Sequence, residues 1–237
     1  MKLSLKLLIA LTLTLIVGMF GAAISMRRQY DLLDKSDPYA RWQKKSLPAF
    51  SVVEITGPSS AMVQIEPGKT SRLLIDSSLN HSGKDGYTYR VQHDTLFMHM
   101  TPVTDWNFRP EDDDDNWHGV QYVVQVPSLK ALLTVNAYCQ LCDVITPTLT
   151  LQQRGIGGRL TLNHVQTKYL TASLSGRNQL TFQEFNNQIA QANITVRDSA
   201  RLHQYSNFSN GLTLQADSTA QLRLTGKALR QAKGGVK

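Results

Sequence analysis

Residues Leu149 to Leu162 read LTLQQRGIGGRLTL, two short alternating apolar runs on either side of a glycine-rich middle. Two readings compete for that middle: a glycine loop that cradles phosphate, and the corner of a structural repeat. Comparison along the chain separates them. Leu141, Leu160, Leu180, Leu202 and Leu222 follow one another at gaps of 19, 20, 22 and 20 residues. Each is preceded by a second small run: LTV from 133, LTL from 149, ASL from 172, ITV from 194 and LTL from 212. RGIGG stands where RDSAR and ADSTAQ stand in later units, so its glycines mark a corner.

A unit of this length cannot bury its apolar edge alone. Stacked units place leucine over leucine and pair strands between neighbouring coils. Corners between strands need Gly, Asn or Asp, which tolerate left-handed backbone, and each corner here has small or polar residues. The threonines of LTV, LTL, LTF and ITV are expected to face outward as ladders. A parallel β-helix with coils of about 20 residues accounts for both periods. A β-sandwich is the alternative, since short strands at regular spacing also suit it.

Upstream the patterning stays short and alternating, in FSVVEI, AMVQI, RLLI, YTYRV, LFMHM and VQYVVQV. No stretch of residues 50–226 sustains a helical period, so the body is read as all-β. The N-terminus differs. Leu7 to Ile24 runs 18 residues without a charge behind Lys2 and Lys6, enough to cross a bilayer. Ala23-Ile24-Ser25 also has the small residues of a signal-peptidase site, so an uncleaved anchor and a cleaved signal both stand. Either places the main domain outside the cytosol, in the cell envelope or exported. The expected organisation is a transmembrane anchor or signal over 1–25, a juxtamembrane stalk over 26–46, the β domain over 47–226 and a basic flexible tail over 227–237.

The formal charge of +7 resides at the ends: residues 1–45 carry a balance of +5 and the tail after Gly226 +4, leaving −2 for residues 46–226. The basic segments would meet a membrane surface or an anionic polymer. A nucleic-acid-binding body is not expected.

LPAFSVVEITGPSSAMVQIEPG, then LLIDSS, HDTLFMHM and VVQVPSLKALLTVNA, followed by units with Ser/Gly corners, resembles the bacterial auto-transporter adhesin head GIN domain family, a domain of unknown function. The resemblance covers roughly residues 47–226 and is most specific at VQVPSLKAL, Val124 to Leu132 with flanks. It implies a right-handed β-helix in the cell envelope with an inferred role in adhesion, and it supplies no catalytic residues. Glycine survives in the corners RGIGG and LSGRN and is missing from later ones.

Cys139-Gln-Leu-Cys142 is the only cysteine pair. Its surroundings read as strand and corner rather than the helix N-terminus of a redox motif. A local disulfide needs the chain to turn, because i and i+3 lie on opposite faces of a straight strand. Asp112, Asp113, Asp114 and Asp115, after Glu111, crowd like charges that Ca²⁺ would neutralise, although the run lacks EF-hand spacing. Trp106, Phe108 and Trp117 flank that run and are the candidate surface for stacking on sugar rings; the competing reading has them covering the body. His93 and His99 share strand parity and stand too far apart for one metal. Asp198 and Asp217, with Arg177 and Arg197 nearby, could occupy equivalent corners, which is the arrangement a β-helical polysaccharide lyase would need; ordinary turn residues look the same. The function expected from all this is a non-enzymatic, adhesin-like envelope module binding a carbohydrate, surface polymer or protein. A self-associating structural protein and a polysaccharide-acting enzyme are the alternatives.

Overall fold

The computed structural model describes residues 3–31, 37–57, 62–77, 86–101, 119–183, 187–206 and 208–233. The chain divides into two compact units, Met1–Arg41 and Trp42–Lys237. The first holds helix α1 (Leu3–Asp31). Its stretch Leu11–Arg28 is long and apolar enough to cross a membrane, and none of it is buried by protein. Twenty-nine helical residues rise about 44 Å, more than the hydrocarbon thickness of a bilayer.

The described part of the second unit is mostly strand. It opens with β1 (Gln43–Ser46), β2 (Val52–Thr56), β3 (Met62–Pro67), β4 (Arg72–Ile75), β5 (Tyr87–Gln92), β6 (Thr95–Met100) and β7 (Val120–Val126). Eleven more strands follow: β8 (Ala131–Val135), β9 (Tyr138–Cys142), β10 (Ile145–Arg154), β11 (Arg159–Asn163), β12 (Gln166–Leu174), β13 (Gln179–Phe182), β14 (Gln188–Val196), β15 (Arg201–Gln204), β16 (Phe208–Ala216), β17 (Gln221–Leu224) and, after helix α2 (Gly226–Gln231), β18 (Ala232–Lys233). They form two nine-stranded mixed sheets. Sheet A runs β1-β4-β7-β3-β9-β11-β13-β15-β17 and sheet B runs β18-β16-β14-β12-β10-β8-β2-β6-β5. Neither closes into a barrel.

From β8 onward successive strands alternate between the sheets, and each pairs in parallel with the strand two places on. Among the described residues antiparallel pairs occur only at the start, β1 with β4, β4 with β7 and β5 with β6. The hairpin β5–β6 turns on His93 and Asp94, both with positive φ (47° and 62°), so His93 is a turn residue and does not share a strand face with His99. Strand β1 extends the sheet into the stretch expected as stalk. Helix α2 and β18, which pairs with β16, do the same in the expected tail.

The rows inside are the predicted leucine stacks with one correction. Leu160, Leu180, Leu202 and Leu222 are register partners in turn. Leu141 pairs with Leu162, and Cys139 takes the place beside Leu160. A second row runs Leu141, Leu162, Phe182, Gln204, Leu224. Sheet B answers with Leu151, Ala172, Ile194 and Leu214. Inward residues of both sheets belong to one core, and the rings of Phe182 and Phe208 meet edge to face across it at 5.9 Å. Each leucine so buried contributes roughly 1.5–3 kcal/mol.

The threonine ladders come out differently. Thr150, Thr171 and Thr213 do stand on the exposed face of sheet B, with Asn193 between the last two. Thr134 points inward: in β8 the buried residues are Leu132 and Thr134, and Leu133 and Val135 face out. Its register partners are Ile55 and the buried Gln153.

Corners hold the stack in register by passing side-chain amides from one unit to the next. Asn178 accepts from the Gly158 amide (2.7 Å) and donates to the carbonyls of Gly155 (3.1 Å) and Ser175. On the other side, buried Asn187 accepts from Val165 N (2.8 Å) and donates to Leu162 O, Gln183 O and Ser206 Oγ. These bonds satisfy backbone groups that the change of direction would otherwise leave unpaired. Asn136, Asp143, His164 and Asp198 sit at positive φ near 56°, the conformation Asn and Asp tolerate best.

Candidate binding face on sheet A

Parity decides what the short strands of sheet A show to water. With Cys139, Leu141, Leu160, Leu162, Leu180, Phe182 and Leu202 in the core, the residues between them face out. One outward row is Tyr138, Arg159, Gln179, Arg201, Gln221; the next is Gln140, Thr161, Thr181, His203, Arg223, in which Thr161 is buried. Arg201, Gln221 and Arg223 are exposed, and Arg159, Gln179 and His203 are half-buried.

The charge on this half of the body has one sign wherever it lies on a strand. Strands β8 to β17 contain Arg154, Arg159, Lys168, Arg201 and Arg223, and no Asp or Glu. The acids of the described stretch, Asp143, Asp198 and Asp217, are all at corners. Asp217 accepts from Asp198 N (2.8 Å), Thr219 N (2.9 Å) and Thr219 Oγ1 (2.8 Å). Those donors, the Asp198 amide foremost, hold its carboxyl below the usual carboxylate range. Asp198 and Asp217 do stack in equivalent corners, but the Asp217 carboxylate is spent on backbone amides.

This polarity was hidden by the net balance of the body. Residues 46–118 carry five Lys/Arg against eleven Asp/Glu, and residues 119–226 carry eight against four. Counting the halves separately would have exposed the basic one.

Within the face, Gln179 Nε2 reaches Thr181 Oγ1 at 3.1 Å and His203 Nδ1 at 3.3 Å. The Arg223 guanidinium lies 5.5 Å from the Tyr205 ring centroid, a cation–π arrangement. Burial pushes the Tyr138 hydroxyl upward in pKa, and Arg159 beside it pulls the other way. Beyond β9 the face changes character: Glu66 accepts from Gln64 on its own strand β3 (2.7 Å) and from Gln125 on the neighbouring β7 (2.9 Å).

Trp106, Phe108, Trp117 and the run Asp112, Asp113, Asp114 and Asp115 lie outside the described residues. Cys139 and Cys142 are free thiols, both buried, on opposite faces of β9. Cys139 is in the core, and Cys142 receives Gln140 Nε2 at 2.9 Å on the outer side. Burial raises the pKa of both. Among the described residues no three His, Cys, Asp or Glu side chains gather as a metal site would require. Two open clefts lie on sheet B. One of about 670 Å³ crosses the starts of β10, β12, β14 and β16, between Ile145, Lys168, Ile189 and Phe208. The other, about 410 Å³, is bounded by Glu54, Arg90, Phe97 and His99.

No family model matches the chain, and no curated protein matches it. Solved structures do. A "putative adhesin" from Parabacteroides distasonis aligns over 77% of this chain and 80% of its own, at 14% identity and a TM-score of 0.45. A "putative adhesin" from Bacteroides fragilis aligns over 83% and 95%, at 11% identity and a TM-score of 0.41. A "putative lipid binding protein" from Parabacteroides distasonis aligns over 83% and 94%, at 12% identity and a TM-score of 0.34.

Proposed function

We propose that this protein is a non-catalytic binding module of the cell envelope, a right-handed parallel β-helix that presents the outer face of sheet A to an anionic surface polymer. The alternation of strands between two sheets with parallel partners two places on supports the β-helix. The apolar helix α1 supports anchoring or export, and the resemblance of residues 47–226 to the GIN domain family agrees with an adhesive role. One observation carries the choice of polymer: charges on strands β8 to β17 are all basic, while the described acids of that stretch are confined to corners. A face selected only for solubility would mix both signs.

Full-length protein in mild detergent is expected to bind dextran sulfate and to leave neutral dextran unbound, with affinity falling as salt rises. Replacing Arg159, Arg201 and Arg223 together by Gln is expected to weaken that binding. Undiminished binding by the triple variant would remove the face from the proposal.

A second reading, self-association, is favoured by the edge strand β17, whose inward-row residue Leu222 is 38% exposed. An unpaired edge of this kind invites another strand. Sedimentation at rising concentration tests it; a monomer throughout would exclude it.

A further inference from the structure

We propose that the polymer taken by this face is a linear polysaccharide lying across the strands, with its acidic groups on alternate sugars. The inference rests on the polyanion reading above and adds direction and charge repeat to it. In register, Arg159 stands beside Gln179, Gln179 beside Arg201, and Arg201 beside Gln221. Neighbouring strands lie about 4.8 Å apart, so the two arginines are about 10 Å apart at the backbone, with a neutral amide between them.

One step of an extended pyranose chain is close to one strand step. A chain laid across the strands therefore offers one sugar to each strand, and alternate carboxylates or sulfates meet Arg159 and Arg201. A guanidinium binds either group through two parallel N–H donors. The intervening sugar meets Gln179, whose amide oxygen can accept from a hydroxyl while its Nε2 stays with Thr181 and His203. Along the strands the match fails, because β13 has four residues and shows only Gln179 and Thr181 on this face. Nucleic acid fits less well. It carries a phosphate at every unit, and here neutral amides and hydroxyls separate the cations.

The test measures binding of full-length protein in mild detergent to four probes at one salt concentration: hyaluronan oligosaccharide, acidic on alternate sugars; oligogalacturonate of equal sugar number, acidic on every sugar; neutral dextran; and duplex DNA. Hyaluronan is expected to bind more tightly per charge than oligogalacturonate. Arg201→Gln should weaken it about tenfold, the effect of losing one charge-assisted contact. The decisive variant is the pair Gln179→Arg with Arg201→Gln, which keeps net charge and moves one cation by one strand. It should lose hyaluronan affinity about tenfold while holding oligogalacturonate. Affinity that follows charge density alone and ignores the swap would overturn the alternate-sugar repeat and leave the polyanion face standing. Tighter binding of DNA than of either acidic sugar would overturn the polysaccharide. Failure of all three anionic probes would overturn the underlying reading as well.

Discussion

Gly176 lies against the carbonyl oxygen of Gly155, one corner stacked on the next, with no room between them for a methyl group. Gly176 also holds φ at 73°, in the left-handed region. Gly176→Ala should therefore destabilise the fold through clash and strain together, by about 1–3 kcal/mol or more. Denaturant unfolding checks it, and a loss below a few tenths would show that the corner yields freely.

Leu180 stacks between Leu160 and Leu202 and is fully buried. Truncating it leaves a void whose walls are held by strands on both sides. Leu180→Ala is expected to cost about 2–5 kcal/mol. Leu222→Ala, at the exposed end of the same row, should cost much less, and equal losses would contradict the row as a continuous core.

The leucine rows and the corners were legible because both repeat with the coil and each has one physical cause, burial in one case and left-handed backbone in the other. At its start the row departs from the repeat: Cys139 stands where leucine stands elsewhere, and the nearest leucine, Leu141, belongs to the neighbouring row. Thr134 departs for a related reason: LTV from 133 looks like LTL from 149, but its parity is shifted by one residue. Alternation shows that a strand has two faces and does not say which one is inside. The cationic face depends on neither departure: Arg159, Gln179 and Arg201 directly precede Leu160, Leu180 and Leu202, and the register of those leucines makes them neighbours.

The Asp217 corner makes a prediction in pH. Its folded-state pKa is depressed, so its contribution is present above the unfolded value of about 3.9 and is lost as pH falls through the lower folded value. Asp217→Asn should lower Tm at pH 7, and the gap to wild type should close as pH drops below about 4. A gap that widens with acid would mean the carboxylate stabilises nothing.

The two thiols predict slow chemistry. Cys139 is in the core with a raised pKa, so it should resist alkylation by iodoacetamide in the folded protein and react only on unfolding. Cys142, raised for the same cause, should also lag behind an unburied thiol. Mass spectrometry after unfolding without reductant should count two alkylated cysteines. A mass two hydrogens short, with neither modified, would reveal a bridge and a turn in β9 that opposite faces do not provide.

Gln153 offers the least intuitive change. Its side chain is buried in sheet B with neither amide atom partnered, beside Thr134 on one side and Leu174 on the other. A buried amide without partners costs about 1–3 kcal/mol, whereas leucine in the same row would join the apolar stack. Gln153→Leu is therefore expected to raise stability by about that amount, with Tm increased and the circular-dichroism spectrum unchanged. Thr134→Val, at the neighbouring inward position, should be near neutral alone and add to the gain when combined. Destabilisation by Gln153→Leu would mean that an ordered water already satisfies the amide, and an Ala substitution at the same position would then lose stability too.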